Sequence, residues 1–444
     1  MLDLSSDSPI EVLDYATFDS IISSINESLP SRDKIPFARP YWGQREKEHI
    51  DRVIDSGYGT RGPEVERLEG RLSERFDRPV IATDTCTNAL SLAYRLACHR
   101  KLGTHPNSRI PAGAVNIITT PVTSPLTISP MVALGIRPKF VDVDQSTMNI
   151  NPGLIESAID QDTIAIAPVH IGGMPCDMEE INLIARENGL LVIEDAAHAF
   201  ASRLPSGEEI GAVSGSFATC FSFYSTKTFG SFEGGALVLD NSITEEELEI
   251  LIGVHHKGDV LGASHKDVRK VFRPPSPNCM GLVMNMTDPQ AAILGIQLDK
   301  ENEILERRTE LASVYSKLLF PLVEAGFIRL ISDASSANGT FNSRYLYQIM
   351  INPNTLRIDR DTFCTALIKL GVGVGLHFPS ILDFQDLPRE EYNFNSGGLT
   401  PEDLPIATLM SRNTLSLPLY PSLTVDDVSH VAEVLDSVCK EFAK

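Results

Sequence analysis

Asp195 and Lys227 are the two residues of this chain whose type and position could carry covalent chemistry. Asp195 follows the apolar run Leu190 to Glu194, and Lys227 follows Phe217 to Phe223. Each therefore falls at the carboxyl end of an expected strand, where an open α/β sheet takes up ligands. An amine held partly out of water loses some of its preference for the ammonium form and can condense with an aldehyde to a Schiff base. A carboxylate can keep a pyridine nitrogen protonated. Pyridoxal phosphate requires those two protein groups: a covalent tether, and a counter-charge that strengthens the ring as an electron sink. From type and place alone a plainer reading stands beside this one, because a lone lysine or aspartate at a strand end is commonly a solvated or ion-paired group.

The elements that must position this pair are short apolar or β-branched runs at Val80 to Thr83, Val115 to Thr119, Lys139 to Val143, Thr163 to Val169, Leu190 to Glu194, Phe217 to Phe223 and Ala236 to Leu239. Helical patterns separate most of them, which predicts βαβ units and a mostly parallel sheet covered by helices on both faces. Upstream, Phe18, Ile21, Ile22, Ile25 and Leu29 fall at helical spacing and predict one short amphipathic helix in an acidic extension, residues 1–34. A glycine-rich turn, Gly57 to Pro63, sits between two helical patterns and reads equally as a functional loop or a plain connector. After Pro289 the pattern becomes helical, and a long helix is expected to link a large lobe, residues 35–300, to a smaller C-terminal lobe, residues 301–444. That lobe is expected to hold a strand at Tyr345 to Ile351, a helix at Asp361 to Leu370, and a closing helix with one apolar face, capped by Thr424 and Asp427.

Composition limits what such a protein could do. The 444 residues are 42% hydrophobic and 22% charged, ample for a sizeable core. A formal net charge of −21 repels nucleic-acid phosphates and anionic lipid heads, although a few backbone N–H groups and one lysine can still form a local anion site. Seven cysteines, Cys86, Cys98, Cys176, Cys220, Cys279, Cys364 and Cys439, form no CxxC pair and no zinc spacing, so reduced thiols and no metal are expected. The first 30 residues lack a basic opening and an apolar segment, and no run of about 18 apolar residues occurs. The expectation is a cytoplasmic protein with no nucleic-acid or membrane partner. Gly371-Val372-Gly373-Val374-Gly375 imitates a dinucleotide loop but opens no βαβ unit, and reads as a turn.

Several motifs in fixed order sharpen the reading. Ile193-Glu194-Asp195-Ala196-Ala197-His198-Ala199, then Phe221 to Lys227, then Glu233-Gly234-Gly235-Ala236 resemble the DegT-type sugar aminotransferase family of fold-type I pyridoxal-phosphate enzymes. Ile35-Pro36-Phe37, Gly57 to Pro63, Thr87 to Leu90, Phe140 to Asp144, Pro168-Val169-His170 and Leu415 to Leu419 agree, so the resemblance spans roughly residues 35 to 440. It implies a fold-type I α/β protein, a mostly parallel sheet sandwiched by helices with a smaller C-terminal α+β lobe. It also implies a homodimer that moves an amino group from glutamate or glutamine to a keto sugar carried on a nucleotide.

Carried over residue by residue, the resemblance makes Lys227 the Schiff-base lysine and the acid and base of the proton shift. Asp195 would meet the ring nitrogen, Ala197 one ring face, and His198 the ring hydroxyl. The phosphate would take backbone N–H groups of Cys86 and Thr87, with the Ser222 hydroxyl. Thr60, His170, His256 and His377 would face the substrate. Two departures stand out. Val122 to Thr127 carries no aromatic where relatives stack one on the cofactor, and Val283 stands where relatives have the partner-subunit asparagine that reaches the phosphate, so that contact is either absent or moved to Asn285. Thr127-Ile128-Ser129-Pro130 also resembles the dehydrase branch of the family, but that branch lacks the anchoring lysine, so Lys227 argues for transamination. A non-catalytic regulatory protein on the same fold is the remaining alternative.

Overall fold

The computed structural model describes residues 13–105, 108, 110–248, 251, 282–331, 339–383 and 399–444. In the large lobe the strands are β1 (Val80–Thr83), β2 (Asn116–Thr119), β3 (Arg137–Phe140), β4 (Thr163–Ile166), β5 (Leu191–Asp195), β6 (Ala218–Ser222) and β7 (Gly235–Leu239). They form one sheet in the order β1-β7-β6-β5-β4-β2-β3. All run parallel except β7, which is antiparallel to both β1 and β6. β2, β4 and β7 are buried at every residue, as strands covered on both faces must be.

The period-2 alternation sorts the side chains between two cores. Ile118, Ile166, Val192, Phe221 and Ala236 pack on one face, with the helix Pro63–Phe76 and the helix Asp288–Asp299. Ile117, Ala165, Ile193, Cys220 and Leu237 pack on the other, beneath the helix Cys86–Leu102. That helix leaves β1 at one edge and lies against β7, β6, β5 and β4 on its way toward β2. Its N-terminus is thereby fixed at the end of the sheet where β5 and β6 finish.

The helix Glu301–Glu324 spans both lobes: Ile304 belongs to the large core, whereas Leu311, Tyr315 and Leu319 belong to the small one. The small lobe holds an antiparallel sheet, order β10-β9-β8, of β8 (Ile328–Leu330), β9 (Tyr347–Ile351) and β10 (Thr414–Leu417). The closing helix Val425–Glu441 is capped as expected, Thr424 and Asp427 exchanging side-chain to backbone bonds. The extension forms the expected helix, Tyr15–Ser28, and packs on this lobe: Phe18 stacks 6.3 Å from Phe442, and Asp19 pairs with Lys369 at 2.7 Å.

The Gly371 to Gly375 run is a turn that grips the chain entering the large lobe. Ile35 N–H donates to Gly371 O and Gly373 N–H donates to Ile35 O. A Cβ on Gly373 would stand 2.6 Å from Phe37 N, which explains the glycine there. The reversal of β7, and the short strands β8 and β10, are features the sequence pattern did not announce.

Candidate active site

The carboxyl ends of β5 and β6 open on a cavity of about 440 Å³ lined at once by Asp195, Ala197, His198, Ser222, Lys227 and the start of the helix Cys86–Leu102. Asp195, the last residue of β5, is 4% exposed. Its Oδ2 accepts from Thr127 Oγ1 at 2.6 Å and its Oδ1 from Ala197 N–H at 3.1 Å. Thr123 Oγ1 stands 2.7 Å behind Thr127 Oγ1. Burial pushes the Asp195 carboxyl up, and the Thr127 hydroxyl, the Ala197 N–H and the Lys227 charge only partly offset it. A cationic ring nitrogen is the partner such a carboxyl would accept.

At the other end Thr85 caps the helix, its Oγ1 taking the Asn88 N–H at 3.2 Å. The Cys86 and Thr87 N–H groups open the helix and have no intrahelical acceptor, so dipole and geometry suit this terminus to an anion. Gly235, the first residue of β7, packs directly beneath: an added Cβ would come 2.5 Å from the Thr85 carbonyl carbon and 2.6 Å from Cys86 N. The Cys86 thiol points away, toward Cys220 O at 3.6 Å, and burial raises it well above the usual thiol range.

Lys227 lies in the β6–β7 connection, its N–H bonded to Tyr224 O at 2.8 Å and its Nζ 4.4 Å from the centre of the Tyr345 ring. His198 packs 4.5 Å from the same ring and 5.6 Å from Phe378, while its Nδ1 accepts from Gly172 N–H. Burial, then the charge of Lys227, holds this imidazole neutral, well below its ordinary range. His377 also lines the cavity, stacked 5.3 Å from Phe37 and 3.0 Å from Ser416 Oγ; burial and Lys227 bring it down to about 4.

The structure brings Cys86, Thr87, Asp195, Ala197, His198, Ser222, Lys227 and His377 together, and separates the other expected residues from them. His170 is not at the mouth: it is fully buried, its Nε2 2.8 Å from Glu194 and its Nδ1 taking the Cys176 N–H, so it braces β5. Thr60 is exposed outside the cavity, and its carbonyl accepts from Asp288 N–H. Asn285 bridges to Thr83 at the sheet edge and does not line this chain's own cavity. His256 lies outside the described residues. Sequence reasoning missed Thr127 and Tyr345. The Thr123/Thr127 spacing of four, straddling the Ser124-Pro125 helix start, was a usable signal for the first; none existed for the second. A larger cleft, about 840 Å³, lies beside Asp144 and Asp177 and contains none of these groups.

Residues 40–436 match the DegT/DnrJ/EryC1/StrS aminotransferase family. The chain belongs to that family. A relative of Bacillus subtilis, the spore coat polysaccharide biosynthesis protein SpsC, is 30% identical over 409 residues, 91% of this chain and 97% of its own. S. venezuelae DesV, solved in complex with a ketimine intermediate, superposes with a TM-score of 0.69 at 27% identity, covering 98% of both chains. Helicobacter pylori PseC, an aminotransferase of pseudoaminic acid biosynthesis, shares the fold with a TM-score of 0.77 at 22% identity, covering 92% of this chain and 99% of its own. As a member of this aminotransferase family the protein is a pyridoxal-phosphate-dependent transaminase. The residues present fit that cofactor: a buried carboxyl, an amine and a helix N-terminus face one cavity.

Proposed function

We propose that the protein transfers an amino group from glutamate or glutamine to a keto sugar, one carried on a nucleotide, and that it works as a cytoplasmic homodimer. The observation that carries this reading is the convergence of Asp195, Lys227 and the Cys86/Thr87 N–H groups on one cavity. When bound there, pyridoxal phosphate supplies an aldehyde that captures amines and a ring that accepts electrons from a deprotonating carbon. Cys86 and Thr87 N–H groups, with the Ser222 hydroxyl, hold its phosphate. Asp195, oriented by Thr127 and Ala197, keeps a proton on the ring nitrogen. Lys227 Nζ would be the group's covalent tether and the acid and base that moves a proton at the reacting carbons. Neutral His198 and the small Ala197 line the same cavity and would flank the ring.

The sugar class rests on the family and on the relatives' named roles in polysaccharide and sugar biosynthesis. The six cysteines among the described residues are free and buried, which suits a reducing compartment. Exposed Leu126 and Tyr224 at the cavity, with Phe232, Leu282 and Val283 in flanking segments, supply apolar surface for a second copy, whose Asn285 is proposed to reach the phosphate. The test is a colour assay. Purified protein with added cofactor should show a visible band that glutamate or glutamine discharges and that Lys227→Ala abolishes. Protein that neither colours nor takes up the cofactor refutes the reading.

A further inference from the structure

We propose that Tyr345, reaching across from the small lobe, is a dock for the Lys227 ammonium whenever that amine is not bonded to the cofactor, so that Tyr345 sets the balance between tethered and released lysine. The inference rests on the proposed tether at Lys227. Its basis is a ring held on several sides with one face against the lysine head group. Tyr345 is 7% exposed, and its ring lies 4.4 Å from Lys227 Nζ and 4.5 Å from the His198 ring. Its hydroxyl is 3.4 Å from Thr226 Oγ1, on the residue preceding the lysine. Its backbone is pinned by Arg308, a buried guanidinium whose Nη1 donates to Arg344 O, Tyr345 O and Leu419 O. The ring is thus fixed from behind by one lobe and presented to the other.

A ring face attracts an ammonium within about 6 Å, with a strength that grows as water is excluded. Condensation of the amine with an aldehyde expels water, sends an ammonium proton to solvent and leaves an imine, to which a ring face offers less. Tyr345 therefore favours the released state. That helps an incoming amino donor displace the lysine, and it keeps a long flexible side chain beside the carbons whose proton it must move. The docking is a positioning effect: Tyr345 needs its ring and not its hydroxyl.

The test compares the dissociation constants of pyridoxal phosphate, which Lys227 can tether, and pyridoxamine phosphate, which it cannot, in native protein, Tyr345→Phe and Tyr345→Leu. Borohydride reduction and peptide mass identify the tethering lysine. In Tyr345→Leu the aldehyde form should be retained more tightly relative to the amine form, on the order of tenfold, while discharge of the visible band by glutamate slows. Tyr345→Phe should restore the native ratio. A ratio unchanged in Tyr345→Leu, or both cofactors weakened alike as a purely structural role would give, overturns this inference and leaves the tether standing. Reduction that labels a lysine other than Lys227 in native protein overturns the tether and this inference together.

Discussion

Gly235→Ala places a methyl group where the structure has none to spare. Its Cβ would meet Thr85 C at 2.5 Å, Thr85 O at 2.6 Å and Cys86 N at 2.6 Å, against an ordinary contact of 3.4–4 Å. All three neighbours are backbone, so the helix start must retreat by roughly 1 Å. A hydrogen bond near 2.9 Å stretched that far is lost. Two N–H donors to a phosphate are involved, each worth about 1.5–3 kcal/mol. If the anion follows the helix part of the way, about 3 kcal/mol of binding goes, which raises the dissociation constant of pyridoxal phosphate on the order of 100-fold. Overpacking adds about 1–3 kcal/mol of lost stability, so the melting temperature is measured alongside. The decisive assay titrates cofactor-free protein with pyridoxal phosphate and with pyridoxal, which lacks the anion. The variant should lose affinity for the first far more than for the second. Equal losses, or native affinity for the phosphate ester, would refute the assignment of the phosphate to this helix.

Further outcomes follow from other contacts. Thr127→Val removes the 2.6 Å bond to Asp195 while keeping the side-chain volume; steady-state kinetics should show kcat reduced roughly 10- to 100-fold, since a hydrogen bond to a charged group is worth about 1.5–3 kcal/mol. His377, held at about 4 against about 6.5 when unfolded, leaves the unfolded chain binding more protons between those values. Its contribution, about 3 kcal/mol, is complete above pH 6.5 and disappears as pH falls to 4; urea midpoints should fall across that window and fall less in His377→Gln. Phe18→Ala empties a buried site against Phe442 and should cost about 3 kcal/mol in denaturant titration without changing cofactor affinity.

Much of the large lobe was legible because its strands are short, apolar and separated by amphipathic helices. Val80–Thr83 coincides with the expected run, and the others differ by a few residues at their ends. The direction of β7 was not legible, because buried strands read alike whichever way they run. β8 has three residues, too few for any periodicity. In the site, Asp195 and Lys227 were readable because each ends or follows a strand. His170 misled because its neighbours approach the cavity while its ring turns inward to Glu194. Tyr345 was invisible because its partner is far off in the chain and lies in the other lobe.

Because β7 runs against its neighbours, the link from Ser222 to Gly235 returns on the same side of the sheet and needs no crossover helix. Every residue of that link, Lys227 included, stays at the ligand end, clamped between two strands that are hydrogen-bonded to each other along their whole length. An insertion or deletion there cannot be absorbed at the distant edge of the lobe. Sequence drift in this arch should therefore alter what the pocket admits long before it disturbs the scaffold.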